Sequence, residues 1–128
     1  MHQLTVGADL VEIARVERAL KARAPRLRER LFTGREWDYC QTRAHPYASL
    51  AARFAAKEAV RKILGQWGYT GVVWRDTEIA VDERGVPYLF LHGAARDAAG
   101  PHRFSLSLAH TRTHAQAFCV AWNPSSDG

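Results

Sequence analysis

The order of hydrophobic periods predicts an α+β domain in which a small, mostly antiparallel sheet packs on one long helix. Three observations lead there. The chain opens on an alternating stretch, LTVGADLV, and then runs through helical periods to about residue 65. The remainder alternates again in short segments separated by turn residues. At 128 residues the length suits one domain that buries a core without disulfides or structural metal. The pattern places that domain at residues 1–122 and leaves a polar tail, NPSSDG at 123–128, with the composition of a disordered segment.

Each element has its own signal. In the first stretch Leu4, Val6, Ala8 and Leu10 share one face and Thr5, Gly7, Asp9 and Val11 the other, which is strand periodicity. From Glu12 the period becomes helical. Ile13, Val16 and Leu20 form a buried stripe opposite Arg15 and Arg18, until Pro25 ends the run. Thr33 with Glu36 three residues later is a capping box that opens a short helix through Tyr39 and Cys40. A long helix is expected from near Tyr47, after Pro46, to Gly65, whose missing Cβ suits the left-handed residue beyond a helix end. QWGYTG then reads as a loop. TEIAVDERGVPYLFLHG reads as two strands joined by a turn at Asp82, Glu83, Arg84 and Gly85, with AARDAA as a short helical turn after it. RFSLSLAH and HAQAFCVAW supply a second strand pair around the loop from His110 to Thr113.

Composition narrows the function classes. A net charge of +5 favours an anionic partner, whether nucleic acid, an acidic protein or a phosphate-rich small molecule. Cys40 and Cys119 stand far apart without metal-ligand spacing and read as reduced structural residues of a cytoplasmic protein. No apolar run approaches the roughly 20 residues that span a bilayer, and MHQLTVGADL lacks the layout of a signal peptide. No membrane association is therefore expected.

Placed at 100° per residue, the long helix puts Ala52, Ala55, Ala56, Ala59, Val60 and Ile63 on a core face. Arg53, Lys57 and Arg61 fall on the wet side, and Glu58 and Lys62 straddle the boundary. Leu50 and Phe54 also fall on the wet side, where a harmless exposed pair and cover by another subunit or a ligand are the two readings. Asp9 interrupts an otherwise apolar strand beside Gly7, which leaves space for something other than a side chain. A buried carboxylate needs a partner or a cation. Asp9 and Glu58 are thus candidates for one hard-cation site, since Mg²⁺ takes one or two carboxylates together with waters and substrate phosphates.

VGADLVEI, RLFTGREWDYC, AARFAAKEAVRKILG, the GVP turn and the late SLSLAH together resemble the holo-acyl-carrier-protein synthases, the small single-domain members of the 4′-phosphopantetheinyl transferases. The resemblance spans nearly the whole chain in order. It implies the 4′-phosphopantetheinyl transferase-like fold and transfer of the 4′-phosphopantetheine arm of coenzyme A to a serine of apo acyl carrier protein, with release of adenosine 3′,5′-bisphosphate, in fatty acid biosynthesis. It implies Mg²⁺, with Mn²⁺ as a substitute, held by Asp9 and Glu58, and a catalytic Lys62. Coenzyme A is the co-substrate. The resemblance assigns Arg53, Lys57 and His110 to its phosphates and implies that Ser107 and Gly65 lie near the pantetheine and nucleotide. Two-domain relatives carry a further acid where this chain has Val11, so a water is expected in that coordination place. A homotrimer with active sites between subunits is implied, with Leu50 and Phe54 as candidates for cover by a neighbour. The chemistry agrees, because charge grows on the bridging and leaving oxygens during attack on the β-phosphoryl group, where a metal and an ammonium stabilise it. Glu58, Lys62 or a metal-bound water would accept the serine proton.

Between residues 12 and 30 seven Lys/Arg stand against three Glu, so +4 of the net charge is concentrated there. In the family this helix docks the acidic carrier protein, which makes Arg15 and Arg18 the expected docking residues. The competing readings are a non-catalytic basic module that binds an acidic protein or RNA, and an inactive homo-oligomeric scaffold. RNA is disfavoured because no aromatic platform interleaves with the arginines. A pure binder gains nothing from Asp9 and Glu58.

Overall fold

The structure, a computed structural model, describes residues 3–124. Residues 125–128 of the expected tail lie outside the described part. The elements follow the order β1 (Leu4–Glu12), α1 (Ile13–Ala22), α2 (Arg26–Leu31), α3 (Gly34–Gln41), α4 (Pro46–Gln66), a 3₁₀ turn (Trp74–Asp76), β2 (Thr77–Val81), β3 (Pro87–Leu91), α5 (Gly93–Ala99), β4 (Arg103–His110) and β5 (His114–Trp122). β5 lies between β1 and β4 in an antiparallel three-stranded sheet, and β2 pairs with β3 in a separate antiparallel ribbon. This is the expected α+β arrangement, with α4 as the helix on which the sheet packs.

Small residues make that packing close. Ala55, Ala56, Ala59, Val60 and Ile63 of α4 meet Ala117, Cys119 and Ala121 of β5 in the main core. Gly7 of β1 is the tightest point, since a Cβ there would overlap the Ala59 carbonyl and come within 3.1 Å of Ile63 Cγ1. The space beside Gly7 is therefore filled by the backbone of α4, which corrects the expectation that it lies open. The bulky residues of β1 consequently face the other way: Leu4, Val6 and Leu10 are 61%, 49% and 64% exposed.

The capping box of α3 forms as expected, with Thr33 Oγ1 accepting from Glu36 N–H and Glu36 Oε1 accepting from Thr33 N–H. Three expectations for the long helix need correction. Leu50 is fully buried in a cluster with Leu20, Leu31, Phe32 and Cys40, and Phe54 stacks on Trp74 at 5.4 Å, so both are covered within the chain. Arg53 and Lys57 are buried, not wet, because α3 and the 3₁₀ turn close over that side of α4. Gly65 lies inside α4, and the positive φ after the helix belongs to Gly68. Beyond Pro25 the chain forms a further helix, α2, with a buried Leu31, which the hydrophobic period does not predict.

Candidate active site

The contact between β1 and α4 sets the site. Gly7 lets the strand lie against Ala59, and two side chains of α4 then reach across to the strand backbone. Lys62 Nζ donates to Ala8 O at 2.8 Å, and Gln66 Nε2 donates to Val6 O at 3.0 Å. These bonds fix the register of helix against strand and bring Lys62 Nζ within 3.2 Å of Asp9 Oδ1. Asp9 pairs with Ala117 of β5 and projects from the sheet face that packs on α4. Glu58, one turn before Lys62, is half-buried at the edge of the same contact. Burial pushes its carboxyl above the ordinary range and the charge of Asp9 adds to that, while Arg61 and Lys62 oppose it. The structure therefore brings Asp9, Glu58 and Lys62 together.

The ammonium groups of Lys62 and Lys57 differ in what they have left to offer. An ammonium has three N–H donors. Lys62 uses two and is 53% exposed, so one remains for a ligand. Lys57 is wholly buried and donates to Trp74 O at 3.0 Å and Thr77 O at 2.8 Å, with Glu36 Oε2 2.9 Å away. With no donor free, it does not present a charge to a phosphate, which corrects its assignment to coenzyme A.

The remaining predicted residues are spread around this centre. Arg53 lies over the Tyr39 ring at 4.9 Å and donates to Ser49 O at 3.3 Å, while its Nε is buried without a partner. His110 ends β4 on the sheet face that carries Asp9, one pair further along, and its Nδ1 is 3.2 Å from Thr111 O. Ser107 pairs with Phe118 on the opposite face, so the fold of the chain does not bring it to Asp9. Gly65 is exposed, with open space where a Cβ would stand. Arg15 and Arg18 are exposed on α1, with Arg18 3.9 Å from Glu12.

Two concave regions flank the centre. A cleft of about 690 Å³ near His110 is also lined by His45, Tyr47 and Arg112. A groove of about 500 Å³ between α1 and α2 has an apolar floor that includes Leu27, Phe54 and Trp74, and Arg15, Arg23 and Arg30 line it. Arg23 and Arg30 are lining residues that the sequence does not single out.

The donor set fits a divalent cation. Two carboxylates at one half-open edge, one of them already held above its ordinary proton affinity by burial and by the other, favour a cation between them. Among the described residues no group of three or more His, Cys, Asp or Glu surrounds a metal position, so a hard ion here would take its other ligands from water or a substrate phosphate.

Comparison with known proteins places the chain in a family. Residues 5–119 match the 4′-phosphopantetheinyl transferase superfamily. The chain is similar to a holo-[acyl-carrier-protein] synthase of Moorella thermoacetica, 48% identical over 120 residues that cover 91% of this chain and 92% of that one. It is 39% identical to the synthase of Chlamydia caviae over 94% of this chain and 98% of that one. Among solved structures, an ACPS–CoA complex of Chronobacterium ammoniagenes superposes with a TM-score of 0.84 at 30% identity, covering 94% of this chain and 98% of that one. The Helicobacter pylori holo-[acyl-carrier-protein] synthase in complex with coenzyme A gives 0.78 at 27% identity, covering 91% and 99%.

Proposed function

The chain belongs to the 4′-phosphopantetheinyl transferase superfamily, and from that premise we infer that it carries holo-[acyl-carrier-protein] synthase activity. It transfers 4′-phosphopantetheine from coenzyme A to a serine of apo acyl carrier protein and releases adenosine 3′,5′-bisphosphate, in the service of cytoplasmic fatty acid biosynthesis. The observation that carries this reading is the convergence of Asp9, Glu58 and the partly free ammonium of Lys62.

In the reaction the serine Oγ forms a bond to the β-phosphorus, and the bond from that phosphorus to the bridging oxygen breaks. Asp9 and Glu58 would hold Mg²⁺ or Mn²⁺. When bound, the ion neutralises negative charge on the pyrophosphate. Lys62, held in place by Ala8 O and Asp9, directs its remaining N–H at phosphate oxygens and stabilises the charge that grows as the bridging bond breaks. Glu58, Lys62 or a water at the same edge would accept the serine proton. Arg53 and His110, the latter at the cleft wall, are assigned to the coenzyme A phosphates. Gly65 leaves room for the nucleotide to pass over α4.

The carrier protein is assigned to the basic side of α1, with Arg15 and Arg18 as first contacts. Arg23 and Arg30 extend the same positive surface to α2. We assign the outer face of the three-stranded sheet, which exposes Leu4, Val6, Leu10 and Phe118, to a homotrimer contact. This replaces Leu50 and Phe54 in that role. It also gives Ser107, on that outer face, a route to a neighbouring subunit's site. Incubating the protein with Mg²⁺, coenzyme A and apo acyl carrier protein, then weighing the carrier, tests the activity. The expected result is a gain of one phosphopantetheine, and an unmodified carrier refutes the reading.

A further inference from the structure

Three consecutive residues of α4 have different duties. Ala59 abuts Gly7 of β1. Glu58 stands at the open edge beside Asp9. Lys57, on the other side, sends its ammonium into a closed cage, where it meets Glu36 Oε2, Trp74 O and Thr77 O at 2.8–3.0 Å. Glu36 is equally committed, since Oε1 accepts from Thr33 N–H at 2.8 Å and Oε2 accepts from Ile79 N–H at 2.8 Å as well as meeting Lys57. Both side chains are completely shielded from water. One ion pair thus ties α4 to the start of α3, to the 3₁₀ turn and to the start of β2.

A buried pair of this kind is poor evidence of stabilisation, because well-packed apolar residues of similar volume serve stability as well or better. What a fully satisfied polar cage supplies is a single arrangement of the elements that meet in it. Turning α4 about its axis so that Glu58 leaves Asp9 would pull Lys57 away from three acceptors. The cage also holds the turn that carries Trp74, whose ring stacks on Phe54 and lies under Arg61, so it shapes the wall of the groove beside α1 and α2.

We propose that Lys57 and Glu36 form a positioning pair for the transfer reaction, setting the rotation of α4 that presents Glu58 to Asp9 and fixing the Trp74 wall, without touching coenzyme A. The inference rests on the transferase reading given above. It differs from a direct role for Lys57 in what it predicts for the two substrate parameters.

The test compares Lys57→Met, Glu36→Gln and the double variant with wild type in the carrier-modification assay, at a temperature where circular dichroism shows each to be folded. The double variant leaves no unpaired charge inside and keeps an amide oxygen for Ile79 N–H. The expected result for it is a kcat lower by roughly 10–100-fold, the loss that small displacements of reacting groups produce, with the KM for coenzyme A within about twofold of wild type. A raised KM with unchanged kcat would overturn the proposal in favour of direct phosphate contact. Wild-type kcat in the folded double variant, or failure of the double variant to fold at all, would overturn it in favour of a purely structural pair. If Lys57→Met alone does not fold, the double variant and Glu36→Gln carry the measurement. Absence of transfer by the wild-type protein would refute the transferase reading instead, and the control shows it before any variant is assayed.

Discussion

Gly7 and Ala59 touch backbone to backbone, and no side chain fits between them. Because Asp9 is two residues along the strand and Glu58 is the neighbour of Ala59, this contact sets the separation of the two carboxylates. Gly7→Ala should therefore lower stability by about 1–3 kcal/mol, as overpacking against backbone does, and lower turnover with it. Urea unfolding monitored by fluorescence checks the first and the carrier assay the second. Gly65→Ala is the contrast: its Cβ meets open space inside a helix, so stability should rise by about 0.5–1 kcal/mol while the KM for coenzyme A rises if the nucleotide passes there.

Asp9→Ala and Glu58→Ala should each abolish turnover and leave the unfolding midpoint near wild type, since both side chains lie at an edge of the core. Chelation of divalent ions should stop the wild-type reaction, and added Mg²⁺ or Mn²⁺ should restore it. Lys62→Ala should lower kcat much more than it raises the KM for coenzyme A, because its free N–H acts on charge that grows in the transition state. Full activity of either carboxylate variant in chelator would remove the metal site.

Reversal of Arg15 and Arg18 to Glu should raise the KM for the carrier protein several-fold and leave that for coenzyme A unchanged. Both side chains are exposed, and an exposed pair such as Arg18 with Glu12 contributes at most about 1 kcal/mol, so the fold should survive. Wild-type affinity for the carrier should fall with added salt, because surface charges are screened over about 8–10 Å at physiological ionic strength.

Val6 and Phe118 stand on the outer sheet face at 49% and 43% exposure. A charge at either, Val6→Glu or Phe118→Glu, should leave the monomer folded and prevent its association. Light scattering after gel filtration reads the mass directly. If active sites lie between subunits, turnover should fall in step with the loss of trimer, and a wild-type protein that runs as a monomer would remove the trimer from the mechanism.

Burial pushes the Cys40 thiol up to about 11, against a smaller opposing effect of Arg53, and the Cys119 thiol up to about 12. The thiolate is the reactive form, so neither residue should be alkylated at pH 8 until denaturant is added, and mass spectrometry counts the labels. The linkage has one sign. From about pH 9, where these thiols ionise in the unfolded chain, the unfolded state binds fewer protons and stability should fall as pH rises.

Hydrophobic period and local chemistry were enough to find most elements. Alternation marked β1 and the later strands, the Thr33 and Glu36 box marked α3, and the alanine stripe marked the core side of α4. The same local signals singled out Asp9 and Glu58, because a carboxylate in an apolar strand and another at a helix edge are anomalous wherever they fold, whereas the role of Lys62 is implied only by the family resemblance. α2 escaped because six residues rich in arginine carry too little periodicity to read.

What the sequence determined by itself was most of the elements, the α+β class and the two anomalous carboxylates Asp9 and Glu58, all of which rest on near neighbours in the chain. Tertiary structure decided the rest. A helical wheel assigns Arg53 and Lys57 to water by their angle, yet Tyr39 covers one and Glu36, Trp74 and Thr77 enclose the other. It assigns Leu50 to the surface by its angle, yet α1, α2 and α3 close over it. Alternation in β1 separates two faces but does not say which is inside; the Ala59 carbonyl does, by admitting only Gly7 and turning Leu4, Val6 and Leu10 outward. The physical reason is common to all three: burial and hydrogen-bond partners come from residues distant in the chain, and a side chain's own polarity carries no record of them.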